Sequence, residues 1–176
     1  MRSFSEISLR ELLLPVLLLA AGLLAYSNSL DVPFLFDDYY HILENPHLRR
    51  PSSLLIPFLS TARPLVAFSL LLNYSLGGIQ VWGYHAVNLS VHLAAGLTLF
   101  GLLWRTFGLL PRIASPAVPL AFAVTLLWIL HPLQTQAVTY LIQRAEALMG
   151  FFLLLTLYSL HRAATSPQPR PWKLLT

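Results

Sequence analysis

The chain has 176 residues, of which 56% are hydrophobic and 10% are charged, and its net charge is +4. Soluble domains carry about 25% charged residues, so this composition excludes an ordinary water-soluble domain, and the apolar content also excludes intrinsic disorder. The absence of cysteine excludes disulfides, Cys-ligated zinc and thiol catalysis. The basic residues lie between apolar runs and form no patch, so the expected partner is a lipid bilayer and not nucleic acid.

Four apolar runs have lengths that suit membrane-spanning helices, which need about 20 residues. A backbone in lipid must satisfy its own hydrogen bonds, and a helix does so. The sequence therefore predicts an all-α polytopic membrane protein with a membrane domain of residues 1–162. The predicted spans lie near residues 12–30, 87–107, 117–131 and 140–161. Arg2 and Arg10 precede the first run as in a signal peptide, but no small-residue cleavage site follows, which favours an uncleaved span.

A long connection, residues 31–85, follows the first predicted span. It contains two shorter apolar stretches, Leu54–Leu59 and Pro64–Leu76, whose lengths are typical of interfacial or re-entrant helices. We therefore expect one or two in-plane helices in this loop. After the last span, residues 163–176 are predicted to form a polar, Pro-rich, extended cytoplasmic tail.

The basic residues set the predicted orientation, because cytoplasmic segments of membrane proteins are enriched in Lys and Arg. A cytoplasmic N-terminus places most of the basic residues in cytoplasmic segments. The basic residues placed there are Arg2, Arg10, Arg105, Arg112, Arg162, Arg170 and Lys173. The connection 31–85 is then external and holds most of the acidic residues.

The acidic residues are densest in the segment Phe34-Leu35-Phe36-Asp37-Asp38-Tyr39-Tyr40. Apolar neighbours are expected to hold this segment against the membrane or the protein, with both carboxylates facing water. Adjacent carboxylates repel, which raises one pKa and makes that group a candidate base, and they can share a divalent cation. The alternative is structural: Asp38 caps a helix that runs from Tyr39 to Glu44.

Other polar residues interrupt or flank the apolar runs. His85 and His92 share a helix face, so they are either metal ligands or, since a third ligand is missing, hydrogen-bond donors to neighbouring helices. Arg144 either snorkels to the interface or clamps a phosphate. Asn73 and Asn88 each begin an Asn-X-Ser glycosylation signal, which we discount because both lie in apolar helices.

Several short motifs occur in a recognisable order. They are Phe36-Asp37-Asp38, Asn45-Pro46, Arg63-Pro64-Leu65, Asn73-Tyr74, Gly83 to Leu89, His92, His131 to Thr135, and Gln143 to Glu146. In this order they resemble the N-terminal part of the transmembrane and tetratricopeptide-repeat-containing proteins, especially their bacterial relatives. Those proteins are similar to protein O-mannosyltransferases and belong to the C-type membrane glycosyltransferases. The resemblance covers residues 26–160.

The resemblance implies a multi-helix membrane fold with a catalytic first external loop, a polyprenyl-phosphate-linked sugar donor and a protein or glycan hydroxyl acceptor. Asp37 and Asp38 would supply the base or hold a divalent cation, and Arg63 and Arg144 would steady the donor phosphate. The other site-lining residues would be His85, Asn88, His131 and Glu146. The location implied is a bacterial inner membrane or, in a eukaryote, the endoplasmic reticulum membrane.

The chain departs from the family pattern in two ways. The family has Thr-Glu-Ala-Val after His131-Pro132, whereas this chain has Gln136 in place of the acid, and Gln is neither an anionic ligand nor a base. The family also has more membrane helices, followed by 34-residue repeats that do not occur here, so we expect a fragment. The alternative is a non-catalytic truncated paralogue that acts as a membrane binding or assembly subunit. A transporter is disfavoured, because the charges cluster at helix ends.

Overall fold

A computed structural model describes residues 9–49, 62–167 and 170–173 of the chain. All regular secondary structure in these residues is helical, which confirms the predicted all-α class. The α-helices are α1 (Leu9–Ala25), α2 (Pro64–Gly77), α3 (Val81–Gly108), α4 (Ala117–Leu130), α5 (Thr135–Thr139), α6 (Arg144–Thr165) and α7 (Arg170–Lys173). Short 3-10 or π turns occur at Ser27–Ser29, Tyr39–Leu43, Pro132–Gln134 and Leu141–Gln143.

Two helical segments of the described chain are long and apolar enough to cross a membrane, Val81–Gly108 and Leu141–Thr165. A third span results if α4 and the segment Pro132–Thr139, which meet at a bend of 53°, are taken together. The bend follows from Pro132, because a residue before proline disfavours the helical region, and His131 is accordingly extended with ψ of 132°. These spans fit an integral membrane protein, but they do not confirm the predicted count of about four.

The N-terminal helix differs most from its predicted bounds, residues 12–30. Helix α1 ends at Ala25, and the polar run Ser27–Ser29 forms a 3-10 turn in which Ser29 Oγ donates to the Tyr26 carbonyl at 2.7 Å. Serine and asparagine side chains bond to nearby backbone groups and so compete with helical hydrogen bonds. The resulting helix of 17 residues is shorter than the usual span.

In the connection after α1, helix α2 forms where one of the one or two in-plane helices was predicted. Helix α2 begins with Pro64 at its first position and is followed by Gly78, whose φ of 60° suits a glycine. The other predicted helix, Leu54–Leu59, lies outside the described residues. Helix α3 begins at Val81, upstream of the predicted start of its span, so His85 lies in its first turns.

The chain divides into two compact units, which we describe separately. Unit 1 comprises Met1–Ala25, His92–Gln134 and Gly150–Thr176, and unit 2 comprises Tyr26–Val91 and Thr135–Met149. The predicted site residues belong to unit 2, with the exception of His131.

In unit 1, glycines allow the helices to approach closely. A Cβ atom at Gly96 would lie 2.6 Å from Ile129 Cδ1, and one at Gly22 would collide with Leu93 Cδ2, so a larger residue at either position would force these side chains to move. His92 Nε2 lies 3.1 Å from the Ile129 carbonyl oxygen. His92 therefore contacts a neighbouring helix, as the hydrogen-bonding interpretation of the sequence predicted.

The C-terminal segment of unit 1 is not wholly extended, as the sequence predicted it to be. Helix α6 continues to Thr165, and α7 adds a helical turn at Arg170–Lys173. The ring of Trp172 packs edge-on against Tyr158 with 5.8 Å between the ring centroids.

In unit 2, a hydrophobic cluster joins the acidic loop to α2, α3 and the start of the last span. Its buried members are Ile42, Leu48, Leu70, Leu71, Tyr84 and Leu141. Phe34, just before the acidic pair, packs edge-on against Tyr84 with 5.8 Å between the ring centroids. The apolar residues around the carboxylates therefore fix the loop on the protein.

Candidate functional site

The two adjacent carboxylates of the loop have opposite environments. Asp37 is exposed, whereas Asp38 is fully buried. The prediction that both carboxylates face water is therefore wrong for Asp38. Asp38 precedes the π-helix Tyr39–Leu43, but its side chain makes no capping hydrogen bond there, so the capping alternative is also wrong.

Asp38 instead fastens the loop to the start of the last span. Its Oδ2 accepts a hydrogen bond from the backbone N–H of Leu35 at 2.9 Å, and its Oδ1 accepts one from the N–H of Ile142 at 2.9 Å. The Asp38 N–H in turn donates to the Leu35 carbonyl at 2.9 Å. Charge-assisted bonds to backbone amides are what allow a carboxylate to be buried.

Burial has a clear electrostatic effect on this side chain. Desolvation raises the pKa of Asp38, and the hydrogen bonds from the Leu35 and Ile142 amides, together with the nearby His85, offset that rise only in part. Asp38 is therefore a group whose proton is held more tightly than that of an ordinary aspartate.

Asp37 lies on a short strained turn beside an aromatic pair. Phe36 has a φ of 44°, an uncommon conformation for an aromatic residue, and is 80% exposed. Its ring meets Tyr140 edge-on at 6.3 Å, and the Tyr140 hydroxyl accepts a hydrogen bond from the Asp37 N–H at 3.2 Å. Strain of this kind persists where surrounding contacts over-determine the backbone, and it concentrates at functional sites.

Arg144 is fully buried at the start of α6 and bonds only to neutral groups among the described residues. Its Nε donates to Asn88 Oδ1 at 2.7 Å, and its Nη1 donates to Asn73 Oδ1 at 2.7 Å and to Ser69 Oγ at 3.2 Å. Its Nη2 donates to the Tyr84 carbonyl at 3.0 Å. We call this set of contacts the Arg144 cage. The prediction that Arg144 snorkels to the interface is wrong, because its guanidinium points inward.

Asn88 links the Arg144 cage to the acidic loop. Its Nδ2 donates to the carbonyls of Tyr140 at 3.4 Å and Leu141 at 3.3 Å. The segment from Tyr140 to Ile142 therefore forms hydrogen bonds both with Asn88 and with the Asp37–Asp38 pair. A continuous polar network runs from Arg144 to the loop.

His85 is buried beside this network. Its Nε2 lies 2.8 Å from the Val32 carbonyl oxygen, which can only accept a hydrogen bond, so Nε2 carries the proton. Its Nδ1 is buried without a hydrogen-bond partner among the described residues. His85 thus donates a hydrogen bond to the loop after α1, whereas the sequence interpretation placed its partner on a neighbouring helix.

The remaining predicted site residues are all exposed. Arg63 is exposed and directly precedes α2, and Glu146 is exposed in the first turn of α6. His131 belongs to unit 1, where it is exposed and its Nδ1 accepts a hydrogen bond from the Leu133 N–H at 3.2 Å.

The predicted metal site gains no support from the geometry of the acidic pair. No three His, Asp or Glu side chains among the described residues are grouped as metal ligands. The buried Asp38 oxygens are directed to the Leu35 and Ile142 amides, so Asp37 and Asp38 do not present two carboxylates together on the loop surface.

Three side chains that form hydrogen bonds in the network were not identified as site residues from the sequence: Tyr140, Asn73 and Ser69. The sequence offered a signal for Asn73 alone, as an unusual amide inside an apolar helix. Its amide also donates to the Gly83 carbonyl at 3.1 Å. Buried polar side chains in membrane helices mark either interhelical bonds or functional sites.

Together these features fit an integral membrane protein whose described elements are helical and in which a buried arginine network is linked to the loop that carries the exposed Asp37. The chain is 31% identical to a protein O-mannosyl-transferase of Caenorhabditis elegans over 81% of this chain and 22% of that protein. It is 31% identical to protein O-mannosyl-transferase Tmtc3 of Drosophila melanogaster (82% and 18%) and 29% identical to protein O-mannosyl-transferase TMTC1 of Homo sapiens (84% and 18%).

The chain is thus related to the TMTC protein O-mannosyl-transferases, as its motifs predicted, and corresponds to a part of such proteins. It spans about a fifth of the length of these relatives. No family model matches the chain, and no solved structure matches it significantly. These relatives come from animals, so they give no support to the predicted bacterial membrane.

Proposed function

We propose that this chain forms the acceptor-activating part of a membrane glycosyltransferase. The enzyme would transfer a sugar from a polyprenyl-phosphate donor to a hydroxyl group of a protein. The names of the relatives support the reaction class. The observation that carries the proposal is the exposed Asp37 on a turn fixed by the buried Asp38 and by Tyr140.

In this reaction Asp37 is the base. It takes the proton of the acceptor hydroxyl as the hydroxyl oxygen attacks the anomeric carbon of the sugar. The bond between that carbon and the phosphate oxygen breaks, and polyprenyl phosphate leaves with the electron pair. Because a phosphate is a stable leaving group, a positioned base and a positive environment suffice. Asp38 is a positioning residue, since its carboxylate is buried.

The donor phosphate needs a positive partner at the membrane surface. Arg63 is the better candidate, because it is exposed and lies at the N-terminus of α2, where backbone amides favour an anion. Arg144 is a positioning residue in this proposal, because its guanidinium makes four hydrogen bonds inside the Arg144 cage. Its charge still contributes a positive potential to the protein interior beneath the loop.

The proposal is tested with Asp37→Asn in membranes from cells that express the protein. We expect sugar transfer from a polyprenyl-phosphate mannose donor to acceptor peptides to fall at least about 100-fold, the usual effect of removing a general base. The measured quantity is mannose incorporated per amount of membrane-inserted protein. Since Asp37 is exposed and makes no described side-chain hydrogen bond, the variant should insert and fold normally.

Asp31→Asn is the matched control, because it makes the same change at another exposed carboxylate of the same loop. It should retain most of the transfer activity. Full activity of Asp37→Asn would contradict the assignment of the base. Absence of transfer by the wild-type protein, with copurification of a larger glycosyltransferase, would instead support the non-catalytic alternative.

A further inference from the structure

We propose that a cationic cluster in unit 1, formed by Arg105, His161, Arg162 and the ring of Trp172, binds the phosphate of an anionic lipid headgroup. This cluster is independent of the acidic loop. Arg105 lies in the last turn of α3, and His161 and Arg162 lie in the last turns of α6. We call it the basic cluster.

The basic cluster forms where α3 and α6 pack together. The guanidinium carbon of Arg162 lies 4.4 Å from the centroid of the Trp172 ring. One turn before Arg105 and Arg162 the two helices approach closely, since a Cβ atom at Gly101 would lie 3.2 Å from Tyr158 Cε2. Helix dipoles explain why a single cation sits at each helix C-terminus. They do not explain why cations from two helices come together, because like charges repel.

No carboxylate side chain is described in unit 1, to which the basic cluster belongs. Every carboxylate whose side chain is described belongs to unit 2: Asp31, Asp37, Asp38, Glu44 and Glu146. The Nε atom of Arg162 is buried and has no hydrogen-bond partner among the described residues. A buried guanidinium N–H without an acceptor is costly, and a phosphate oxygen is the acceptor that suits it.

The position of the basic cluster favours a lipid as the source of that phosphate. It lies at the ends of the two helices that are long enough to span a membrane, and arginine and tryptophan at such ends sit at headgroup level. The predicted orientation puts these ends on the cytoplasmic side, where anionic lipids accumulate. A headgroup phosphate therefore meets the cluster without leaving the bilayer.

The test measures lipids retained by the purified full chain after exposure to mixed phosphatidylserine and phosphatidylcholine micelles, by native mass spectrometry. We expect the wild type to retain phosphatidylserine in preference to phosphatidylcholine. Arg162→Gln and Arg105→Gln should each lower this preference about fivefold. The two variants lie on different helices, so the test still stands if one of them fails to fold. Gel filtration checks the folding of each variant.

Arg112→Gln is the matched control, because it removes the same charge from an exposed arginine between α3 and α4. It should keep the preference for phosphatidylserine. An equal loss in Arg112→Gln would overturn the proposal in favour of general charge attraction, as would unchanged binding in both cluster variants. Displacement of the lipid by millimolar inorganic phosphate would show a site for soluble phosphate and would also overturn it.

Discussion

Asp38 keeps a carboxylate in the protein interior, with backbone amides as its hydrogen-bond donors. Each hydrogen bond to a charged group contributes about 1.5–3 kcal/mol, which offsets part of the cost of removing the carboxylate from water. The balance remains unfavourable for the ionised form, since the net effect is a raised pKa. The same bonds tie Leu35 to Ile142 and hold Phe36 in its strained conformation, so that Asp37 projects from a fixed turn.

The raised pKa of Asp38 predicts a specific dependence of stability on pH. The folded protein holds this proton more tightly than the unfolded chain, so the contribution of the group to stability is fully present below the ordinary aspartate pKa of about 3.9 and is lost as pH rises through the raised value. Asp38→Asn lacks this titration. The melting temperature of the wild type, relative to that of Asp38→Asn, should therefore fall as pH rises through this window.

The comparison is made by scanning fluorimetry in detergent across a pH series. The other carboxylates are common to both proteins, so their titrations cancel in the difference. Asp37→Asn is the control, because it changes the exposed neighbour. A difference in melting temperature that rises with pH, or that is the same for both variants, would contradict the burial of Asp38.

At the scale of single residues, the sequence identified most residues of the polar network but did not predict what each of them does. The acidic pair, His85, Asn88 and Arg144 stood out as polar groups in apolar surroundings. The sequence could not predict that Asp37 is exposed and Asp38 is buried. The buried Asp38 accepts a hydrogen bond from the amide of Ile142, which lies 104 residues later in the chain. No local pattern encodes a contact of that range.

At the scale of secondary-structure elements, Arg144 joins three helices. It extends from α6 to side chains on α2 (Ser69 and Asn73) and on α3 (Asn88). A fork of fixed N–H donors suits several oxygen acceptors at once. The Arg144 cage thus sets the packing on which the acidic loop rests.

Arg144→Met should destabilise the protein by about 1–3 kcal/mol for each buried acceptor left unpaired, because methionine keeps the bulk but gives Asn73 and Asn88 no donor. The measurement is the melting temperature in detergent, which should drop by several degrees. Arg49→Met is the matched control: Arg49 is exposed and donates one described hydrogen bond, to the Leu43 carbonyl at 2.6 Å. Equal losses in the two variants would refute the role of the cage.

The bounds of the helices were predictable where proline marks them. Pro116 and Pro132 flank α4, and its observed range, Ala117–Leu130, agrees with the predicted span. The end of α1 was not predictable from hydropathy, because the run Ser27–Ser29 leaves the helix through local hydrogen bonds. The early start of α3 was missed because Tyr84 and His85 reduce the hydropathy while packing inside unit 2.

At the scale of the whole molecule, α3 constrains the topology. Its 28 residues extend about 42 Å, which exceeds the hydrocarbon thickness of about 30 Å. Helix α2, with 14 residues, is too short to cross. We therefore predict that α3 crosses the membrane, with the acidic loop before α2 and the connection after α3 on opposite sides.

This topology is directly testable because the chain has no cysteine. Tyr40→Cys and Arg112→Cys place single thiols at exposed positions before α2 and after α3. In sealed vesicles of known orientation, a membrane-impermeant maleimide should label Tyr40→Cys from the extracytoplasmic side and Arg112→Cys only after the membrane is permeabilised. Full labelling of both after detergent controls for access. Labelling of both from one side would mean that α3 does not cross, and Asp37 would then lose its proposed place opposite the basic side of the membrane.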